Sequence, residues 1–570
     1  MPSKSSKQWL FETAGIAALL LLVAVIYART SAYPFLNYDD GRIVFNHPVM
    51  RQGLSWKGLS WALTHGLFGI WMPATALTHM TDVTLFGLRA GGHHLTSVLW
   101  HALAVLLFYA ALRALTGARG ASFLAAALFA AHPLRVEDVA WVASRKDLVC
   151  GAFFALALLA HARYARRPGA LRYAALLAAV LLAFAGKTSA LPLPAVLLLL
   201  DAWPLGRFHT GDGAKPSFRR AVWLVMEKAP MGLLALAVLA VTWGAQHEVG
   251  SIVEEGAAPP ALRMAAVGGN YAHYLGAFFW PFGLSPHYPI VPTVPWKAGA
   301  AWALLVALSL GALAVRRRRP WLTVGWFWFL LALIPVIGII SYGNAPYADR
   351  HMYLSGMGLS MAVAWLLCEA GERLARCRGG KTAGLVMAAA LVLALAGLSW
   401  RQAGFWRDEP SVFARVLRLY PDDDLAHAKL GDCRYAQGDL EGATKHYLEA
   451  IRLQPNITDW NYNLGSMLIE TNPGGALPWL EKAVRLAPER GDIQTNLGYA
   501  LLQLKQPAAA LPYLEAGAKL DPENPNAHIN LGVAFMNLGR KEEARAAFER
   551  SLTLDSANAA AQANLKLLGS

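Results

Sequence analysis

The chain has 570 residues, of which 56% are hydrophobic and only 15% are charged, a balance too apolar for an ordinary soluble protein. Its net charge of +14 arises before residue 401, where there are 33 Lys and Arg and 16 Asp and Glu. After residue 400 there are 18 Lys and Arg and 21 Asp and Glu. The basic excess therefore belongs to the apolar part and does not indicate a nucleic-acid partner.

Apolar runs long enough to span a bilayer recur over residues 1–400 and predict a polytopic membrane unit there. Basic residues cluster in the loops that the positive-inside rule would place in the cytoplasm if the N-terminus is inside. Eleven runs are predicted to cross the membrane: 10–28, 95–112, 120–132, 147–164, 171–187, 189–203, 228–245, 298–315, 321–340, 353–372 and 382–399. An odd number of crossings puts everything after residue 400 outside. The first run also has a weak signal-peptide-like end at residues 28–32, but the next loop is outside in either case.

The apolar segment 262–283 carries His and Asn and has an aromatic end typical of the membrane interface. A full crossing there would invert the charge pattern of the following loop. We therefore predict an interfacial or re-entrant helix.

After residue 400 the sequence is polar and internally repeated. A Gly recurs at 431, 465, 498 and 532, and a Pro at 421, 455, 488 and 522, so that the period is 33 or 34 residues. This period, with small and aromatic residues at fixed positions and a Pro that ends each unit, is typical of tetratricopeptide repeats.

We predict a linker at 401–422 and about four repeats with a capping helix over 423–570. The repeats are predicted either to capture an extended polypeptide or to serve as a scaffold for assembly. The predicted fold class is all-α, a transmembrane helix bundle followed by an α-solenoid.

The pair Asp39 and Asp40 follows the first apolar run on the predicted outer side. Carboxylates so close to a membrane often mark a functional site. The composition of residues 37–41 is also good turn composition, so a solvated loop is the alternative.

Basic residues stand at several other predicted outer positions and are candidates for binding a phosphate: Arg145, Lys146, Lys187 and Arg350. Each alone would more simply be a snorkelling anchor at a helix end. If the stretch from Val136 is helical, Glu137, Trp141 and Arg145 share one face. The residues around Lys187 lack the glycine pattern of a P-loop.

Metal, disulfide and serine-hydrolase chemistry have no support in the sequence. The four cysteines are scattered without ligand spacing, and the many histidines of residues 47–101 lack the paired spacing of a metal site. No Gly-x-Ser-x-Gly elbow occurs. We predict no metal site and no disulfide framework.

Four motifs and the repeats together resemble one known family. They are Tyr-Asp-Asp-x-Arg-Ile-Val-x-Asn at 38–46, His-Pro-x-x-x-Glu-x-Val-Ala-x-x-x-x-Arg-x-Asp-Leu at 132–148, Trp-Pro-Phe-x-Leu-Ser-x-x-Tyr at 280–288 and Arg-x-x-Tyr-Leu at 350–354. In this order they resemble the transmembrane and TPR-containing protein O-mannosyltransferases, a family of the glycosyltransferase-C superfamily.

The resemblance implies transfer of a sugar, mannose in that family, from a polyprenyl-phosphate donor to Ser or Thr hydroxyls of exported proteins. Asp39 is then the general base, with Asp40 orienting the acceptor or supporting Asp39. The lipid phosphate would be stabilised by Arg350 and Arg145, with Lys187 and Lys146 as further candidates. His132 and Glu137 would orient these groups. The repeats would bind the acceptor polypeptide, and a divalent cation is neither required nor excluded.

The chain also departs from that family in its compact size, its few repeats and its Ala/Leu/Arg-rich composition. These features favour a bacterial inner membrane with the repeats in the periplasm, and they leave the sugar and the acceptor open. Two other classes remain as alternatives: a non-enzymatic scaffold for envelope assembly, and a transporter of lipid-linked precursors. A transporter should need polar residues through the middle of many spans, and the spans here are apolar.

Overall fold

The computed structural model describes residues 4–209, 217–248, 259–290, 294–339, 347–376 and 380–569. The chain divides into two compact units, Met1–Arg415 and Val416–Ser570. The described residues of both units are helical and contain no β-strand, only an isolated bridge between Leu67 and Ile70. The predicted all-α fold class is confirmed. Cys377 and residues 341–346 of one predicted outer loop lie outside the described residues.

The first unit is built from long apolar helices joined by short helical turns. Its α-helices are α1 (Lys4–Tyr27), α2 (Trp56–Thr64), α3 (Pro73–Phe86), α4 (Ala90–Thr116), α5 (Arg119–Ala131), α6 (Val136–Ala140), α7 (Arg145–Arg166), α8 (Ala170–Gly186), α9 (Leu193–Ala202), α10 (Phe218–Glu248), α11 (Pro260–Phe279), α12 (Pro295–Ala314), α13 (Pro320–Leu333), α14 (Met352–Leu374), α15 (Gly380–Ala403) and α16 (Glu409–Leu419).

Seven helical segments of the described residues are long and apolar enough to cross a membrane: Glu12–Ala32, Ala90–Thr116, Val142–Arg166, Phe218–Ala245, Pro295–Ala314, Asp349–Leu374 and Gly380–Trp406. Four more apolar helices are 10–17 residues long. Together these segments coincide with the eleven predicted crossings, whose number stays a prediction. Most of the segment 262–283 lies in a further helix, α11, which ends at Phe279 and is not among the candidate spans. The chain is a multi-pass membrane protein.

Close helix packing at small residues holds the bundle together. Helix α7 packs against α4 and α8, and α13 packs against α14. A Cβ on Gly325 would lie 2.5 Å from the carbonyl oxygen of Gly358, so the α13 and α14 backbones are in direct contact. A Cβ on Gly151 would lie 2.2 Å from the ring of Tyr353. Small residues permit such close approach, which is a main source of helix association in membranes.

The stretch from Val136 is not one continuous helix, because it is interrupted at Trp141. Helix α6 ends at Ala140, Trp141 is extended, and a 3-10 turn, Val142–Ser144, leads into α7 at Arg145. Glu137, Trp141 and Arg145 therefore do not share one helix face. The break changes the direction of the chain, and the side chains on its two sides contact different partners.

The predicted linker at 401–422 is largely helical in the structure. It contains the end of α15, a 3-10 turn over Gly404–Trp406 and helix α16. Trp406 and Phe413 of this segment are buried in the first unit.

The second unit consists of helix pairs at the positions where the repeats were predicted. Its helices are α17 (Asp424–Ala436), α18 (Leu440–Leu453), α19 (Thr458–Leu468), α20 (Pro473–Leu486), α21 (Gly491–Gln503), α22 (Pro507–Leu520), α23 (Pro525–Asn537), α24 (Lys541–Leu554) and α25 (Ala559–Gly569). The recurrent glycines lie where the two helices of a pair cross. A Cβ on Gly431 would lie 3.0 Å from the ring of Tyr447, and one on Gly532 would lie 2.5 Å from the ring of Phe548. The 34-residue rhythm is thus a packing requirement of each pair.

Candidate active site

The motif-bearing segments meet at one place in the first unit. We call this place the loop cluster and define it as residues 34–46, 132–147, 284–288 and 347–351. Hydrogen bonds join these segments across more than 100 residues of sequence. The four motifs, far apart in the chain, thus form one structure.

Asp40 ties the first motif to the second. Its Oδ2 accepts a hydrogen bond from the Leu36 amide and its Oδ1 accepts one from the Ala143 amide, both at 2.8 Å. The side chain is completely buried. Burial raises the pKa of Asp40 to about 7, although the two amide donors favour the ionised form. Asp40 therefore supports the loop that carries Asp39 and is too buried to meet an acceptor itself.

Asp39 differs from the other carboxylates of the loop cluster because it is partly exposed. Asp40 and four further acidic residues are buried: Glu137, Asp138, Asp147 and Asp349. Asp39 also acts electrostatically on the ammonium group of Lys146. The geometry thus leaves Asp39 as the carboxylate that a substrate in solution or at the membrane surface would reach.

Lys146 and Arg350 are partly exposed cations beside the same aromatic ring. The Arg350 guanidinium carbon lies 5.6 Å from the Trp141 ring centroid, and the Lys146 Nζ lies 5.9 Å from it. Lys146 Nζ donates to the Ala143 carbonyl at 3.0 Å. Two positive charges and one carboxylate thus border the same small region around residues 38–39 and 141–146.

Glu137 fixes Arg350 through two hydrogen bonds. Its Oε2 accepts a hydrogen bond from the Arg350 amide at 2.9 Å, and its Oε1 accepts one from Arg350 Nη1. The preceding Asp349 accepts a hydrogen bond from the Tyr288 hydroxyl at 2.7 Å. In this way the motif at 280–288 also fixes Arg350, and Glu137 contacts one of the cations that it was predicted to orient.

Lys187 is paired with a different carboxylate. Its Nζ donates to both oxygens of Asp147 at 2.8 Å, and both side chains are nearly buried. Lys187 and Lys146 act electrostatically on each other, so the two ammonium groups are neighbours. Lys187 adds positive potential to the region, but its hydrogen-bonding capacity is largely taken by Asp147.

Arg145 is placed differently from the prediction that it contacts the donor phosphate. Its guanidinium is completely buried and forms an ion pair with Asp82 of α3 at 2.6 Å. It also donates to the His93 carbonyl at 2.6 Å and to the Ser97 hydroxyl at 3.2 Å. With these partners Arg145 joins α7 to α3 and α4, and its guanidinium is engaged within the protein.

The described hydrogen bonds of His132 go to backbone groups and not to the cations that it was predicted to orient. Its Nε2 bonds the Phe278 carbonyl at 2.8 Å, its Nδ1 accepts from the Leu134 amide, and its ring stacks on Phe278 at 4.7 Å. The reason is that residue 132 ends α5 and faces the end of α11. His132 therefore fixes the start of the second motif to α11.

Asp138 adds a buried carboxyl group without a counter-ion within hydrogen-bonding distance. Its Oδ2 has no hydrogen-bond partner in the described residues. Burial raises the pKa of Asp138 well above its ordinary value, and repulsion by Asp147 and Glu137 adds to this shift. Burial and the neighbouring carboxylates thus favour the protonated form of Asp138.

An aromatic stack was missed in the sequence analysis. The Tyr38 ring stacks on the Trp141 ring with centroids 5.2 Å apart, and the Trp406 ring also stacks on the Trp141 ring, with centroids 5.6 Å apart. Phe413 packs edge-on against Tyr38 at 5.6 Å. Asp82 was missed as well, although it is the single acidic residue between positions 41 and 136 of a basic unit, and that isolation was a usable signal.

No group of three or more His, Cys, Asp or Glu side chains is arranged to hold a metal ion in the residues that the structure describes. The side chains of the loop cluster offer acid–base and electrostatic chemistry. A partly exposed carboxylate can accept a proton, and neighbouring cations can stabilise an anion.

Comparisons with known proteins add the relationship of the whole chain. Models of the tetratricopeptide repeat match residues 424–457 and 495–559. Solved structures similar to this part include a crystal structure of MamA, 23% identical, and one of YrrB, a TPR protein, 26% identical. They cover 25% and 28% of this chain and 80% and 82% of their own chains, with TM-scores of 0.25 and 0.26.

The relatives that align with most of the chain are named protein O-mannosyl-transferases. Human TMTC1 is 24% identical over 80% of this chain, the Caenorhabditis elegans protein F38B6.6 is 22% identical over 78%, and human TMTC4 is 25% identical over 74%. The chain spans 57%, 63% and 64% of the length of these three relatives. The predicted resemblance is confirmed: the chain is similar to the TMTC protein O-mannosyl-transferases over about four fifths of its length and ends in tetratricopeptide repeats.

Proposed function

We propose that the chain is a membrane glycosyltransferase that transfers a sugar from a polyprenyl-phosphate donor to Ser or Thr hydroxyls of exported proteins. Its relatives are named for O-mannosyl transfer, which supports this reaction class and makes mannose the first sugar to test. The observation that carries the proposal is that Asp39 is the partly exposed carboxylate of the loop cluster and interacts electrostatically with the partly exposed Lys146. Its neighbour Tyr38 stacks on Trp141, the ring beside which both Lys146 and Arg350 lie.

In the proposed reaction Asp39 accepts the proton of the acceptor hydroxyl. The hydroxyl oxygen forms a bond to the anomeric carbon of the sugar while the bond from that carbon to the phosphate oxygen breaks. The bonding electrons leave with the phosphate, so the products are the O-glycosylated protein, protonated Asp39 and the polyprenyl phosphate. Attack from the side opposite the leaving group inverts the anomeric configuration.

The cations have the complementary task. Negative charge grows on the lipid phosphate as the bond breaks, and fixed positive charges lower the energy of that state. Arg350, held by Glu137, and Lys146 are the direct candidates, whereas Lys187 contributes through its positive potential. Arg145 has no part in phosphate binding in this proposal, because its guanidinium is committed to Asp82.

The tetratricopeptide repeats support a protein acceptor, since such repeats present extended surfaces to polypeptides. We assign acceptor binding to residues 423–570, in a bacterial inner membrane with the repeats in the periplasm. The donor lipid, the sugar and this orientation are parts of the proposal.

The test is a transfer assay with the purified full chain in nanodiscs. Polyprenyl-phosphate mannose is supplied with co-purifying peptides, and modified Ser and Thr are identified by mass spectrometry. Asp39→Asn should lower kcat by roughly 10²- to 10⁴-fold, because general-base catalysis contributes about that much. Its melting temperature should stay at the wild-type value. Asp422→Asn, at an exposed carboxylate of the second unit, is the matched control and should transfer normally.

Two results would count against the proposal. Normal transfer by Asp39→Asn would remove Asp39 as the base. Absence of transfer from any polyprenyl-phosphate sugar, combined with loss of co-purifying partners when residues 423–570 are deleted, would favour the assembly scaffold instead.

A further inference from the structure

The segment that follows the last apolar helix is packed into the loop cluster. Phe413 of α16 is completely buried and its ring meets the Tyr38 ring edge-on, with centroids 5.6 Å apart. Trp406 is almost completely buried and stacks on Trp141 at 5.6 Å. Tyr38 is adjacent in sequence to Asp39, so this segment contacts the residue next to the candidate base.

The segment is itself held against the loop cluster at both ends. Gln402 Nε2 and Arg415 Nε both donate to the Leu284 carbonyl, at 3.4 and 3.3 Å. Between them, Asp408 Oδ1 accepts a hydrogen bond from the Ser411 amide at 2.8 Å and begins α16. The aromatic side chains therefore come from a fixed helical segment.

The Tyr38 ring helps to attach its turn to the second motif. The turn over residues 36–40 is joined to the second motif by the hydrogen bond from the Ala143 amide to Asp40, and the stack of Tyr38 on Trp141 provides a second attachment. Trp406 supports Trp141 and Phe413 supports Tyr38, so both rings of this stack are backed by the same segment. Aromatic pairs with these distances and angles are specifically stabilising.

We infer that Phe413 and Trp406 are positioning residues for the proposed transfer reaction, because they hold the Tyr38–Trp141 stack and so set the place of Asp39. Neither side chain touches a substrate, since both are buried. This inference rests on the proposed function for its catalytic consequence but not for its structural one. A segment outside the four sequence motifs thus belongs to the candidate active site.

The structural consequence is measured by hydrogen–deuterium exchange of the full chain in nanodiscs. Phe413→Ala and Trp406→Ala should each speed the exchange of amides in residues 36–46 several-fold, because local opening there becomes easier. Helices α21 and α22 should exchange as in the wild type. Phe413→Leu refills most of the volume and should restore much of the protection. Trp400→Ala removes an exposed ring that contacts Arg29 and is the matched control, with unchanged exchange at 36–46.

The catalytic consequence is measured with the transfer assay on the same variants. Phe413→Ala should lower kcat by about tenfold or more with little change in KM, since small misplacements of a catalytic group are costly. Faster exchange at 36–46 without any transfer by the wild type would leave the positioning role intact and refute the proposed function. Unchanged exchange at 36–46 in both alanine variants would overturn the positioning role. If an alanine variant exchanges faster throughout the first unit, Phe413→Leu decides: wild-type exchange at 36–46 together with a lowered kcat would also overturn it.

Discussion

The ion pair between Asp82 and Arg145 gives a sharp test of the structure. The sequence made Arg145 a candidate for phosphate binding, whereas in the structure its guanidinium is paired with Asp82. The side chains of Arg145 and Asp82 are 0% and 2% exposed, and Arg145 Nη1 lies 2.6 Å from Asp82 Oδ2. Asp82 also accepts a hydrogen bond from the Thr96 hydroxyl at 2.8 Å. Arg145→Met removes the positive partner and leaves the Asp82 carboxylate buried without its counter-ion.

The expected cost follows from that burial. Removing one member of a buried pair typically destabilises a protein by about 3–5 kcal/mol, because the remaining charge is uncompensated. Asp82→Leu with Arg145→Met removes both charges, and replacement of a buried pair by apolar residues is often neutral. The double variant should therefore be more stable than Arg145→Met alone by most of that amount. Thr96 keeps a partner in the double variant, since its hydroxyl also lies 3.2 Å from the Gly92 carbonyl.

The assay is thermal unfolding of the four proteins of this double-mutant cycle in the same detergent, followed by donor titration of those that fold. Arg373→Met, at an exposed ion pair with Glu369, is the control and should melt as the wild type does. A double variant no more stable than Arg145→Met would refute the reasoning. So would an Arg145→Met variant of normal stability whose defect is confined to the KM for the lipid-linked donor.

Two further predictions follow from the loop cluster. Lys146→Met should lower kcat by roughly tenfold to a hundredfold with the melting temperature retained, since one of the charges that stabilise the leaving phosphate is lost. Transfer kinetics with polyprenyl-phosphate mannose measure this effect. A normal kcat would remove Lys146 from the mechanism. The pKa of Asp40 near 7 lies above its ordinary value, so the folded protein binds the proton more tightly, and stability should fall as pH rises from about 4 to about 7 and then level off. Between pH 5 and 8 this loss is on the order of 2 kcal/mol. Melting curves of the wild type and Asp40→Asn over this range measure it, with Asp422→Asn as control. The slope should be smaller in Asp40→Asn, and an equal slope in the wild type and Asp40→Asn contradicts it.

The sequence by itself determined the parts of this protein that depend on local pattern. Apolar runs of fixed length mark membrane helices because a bilayer has a fixed thickness, and the structure has an apolar helix at each predicted crossing. The 34-residue rhythm marks the repeats because each helix pair needs a small residue where its helices cross, as at Gly431 and Gly532. The motifs also identified Asp39 and Arg350 as residues of one region.

Only the tertiary structure decided which charges are available there. Arg145 and Lys146 are neighbours in sequence, yet Arg145 is neutralised by Asp82, 63 residues away, while Lys146 stays partly exposed. The break at Trp141 and the packing of Trp406 and Phe413 from beyond the last apolar helix are equally invisible in any spacing. The physical reason is that burial and ion pairing depend on which distant segments meet, and no local periodicity records that meeting.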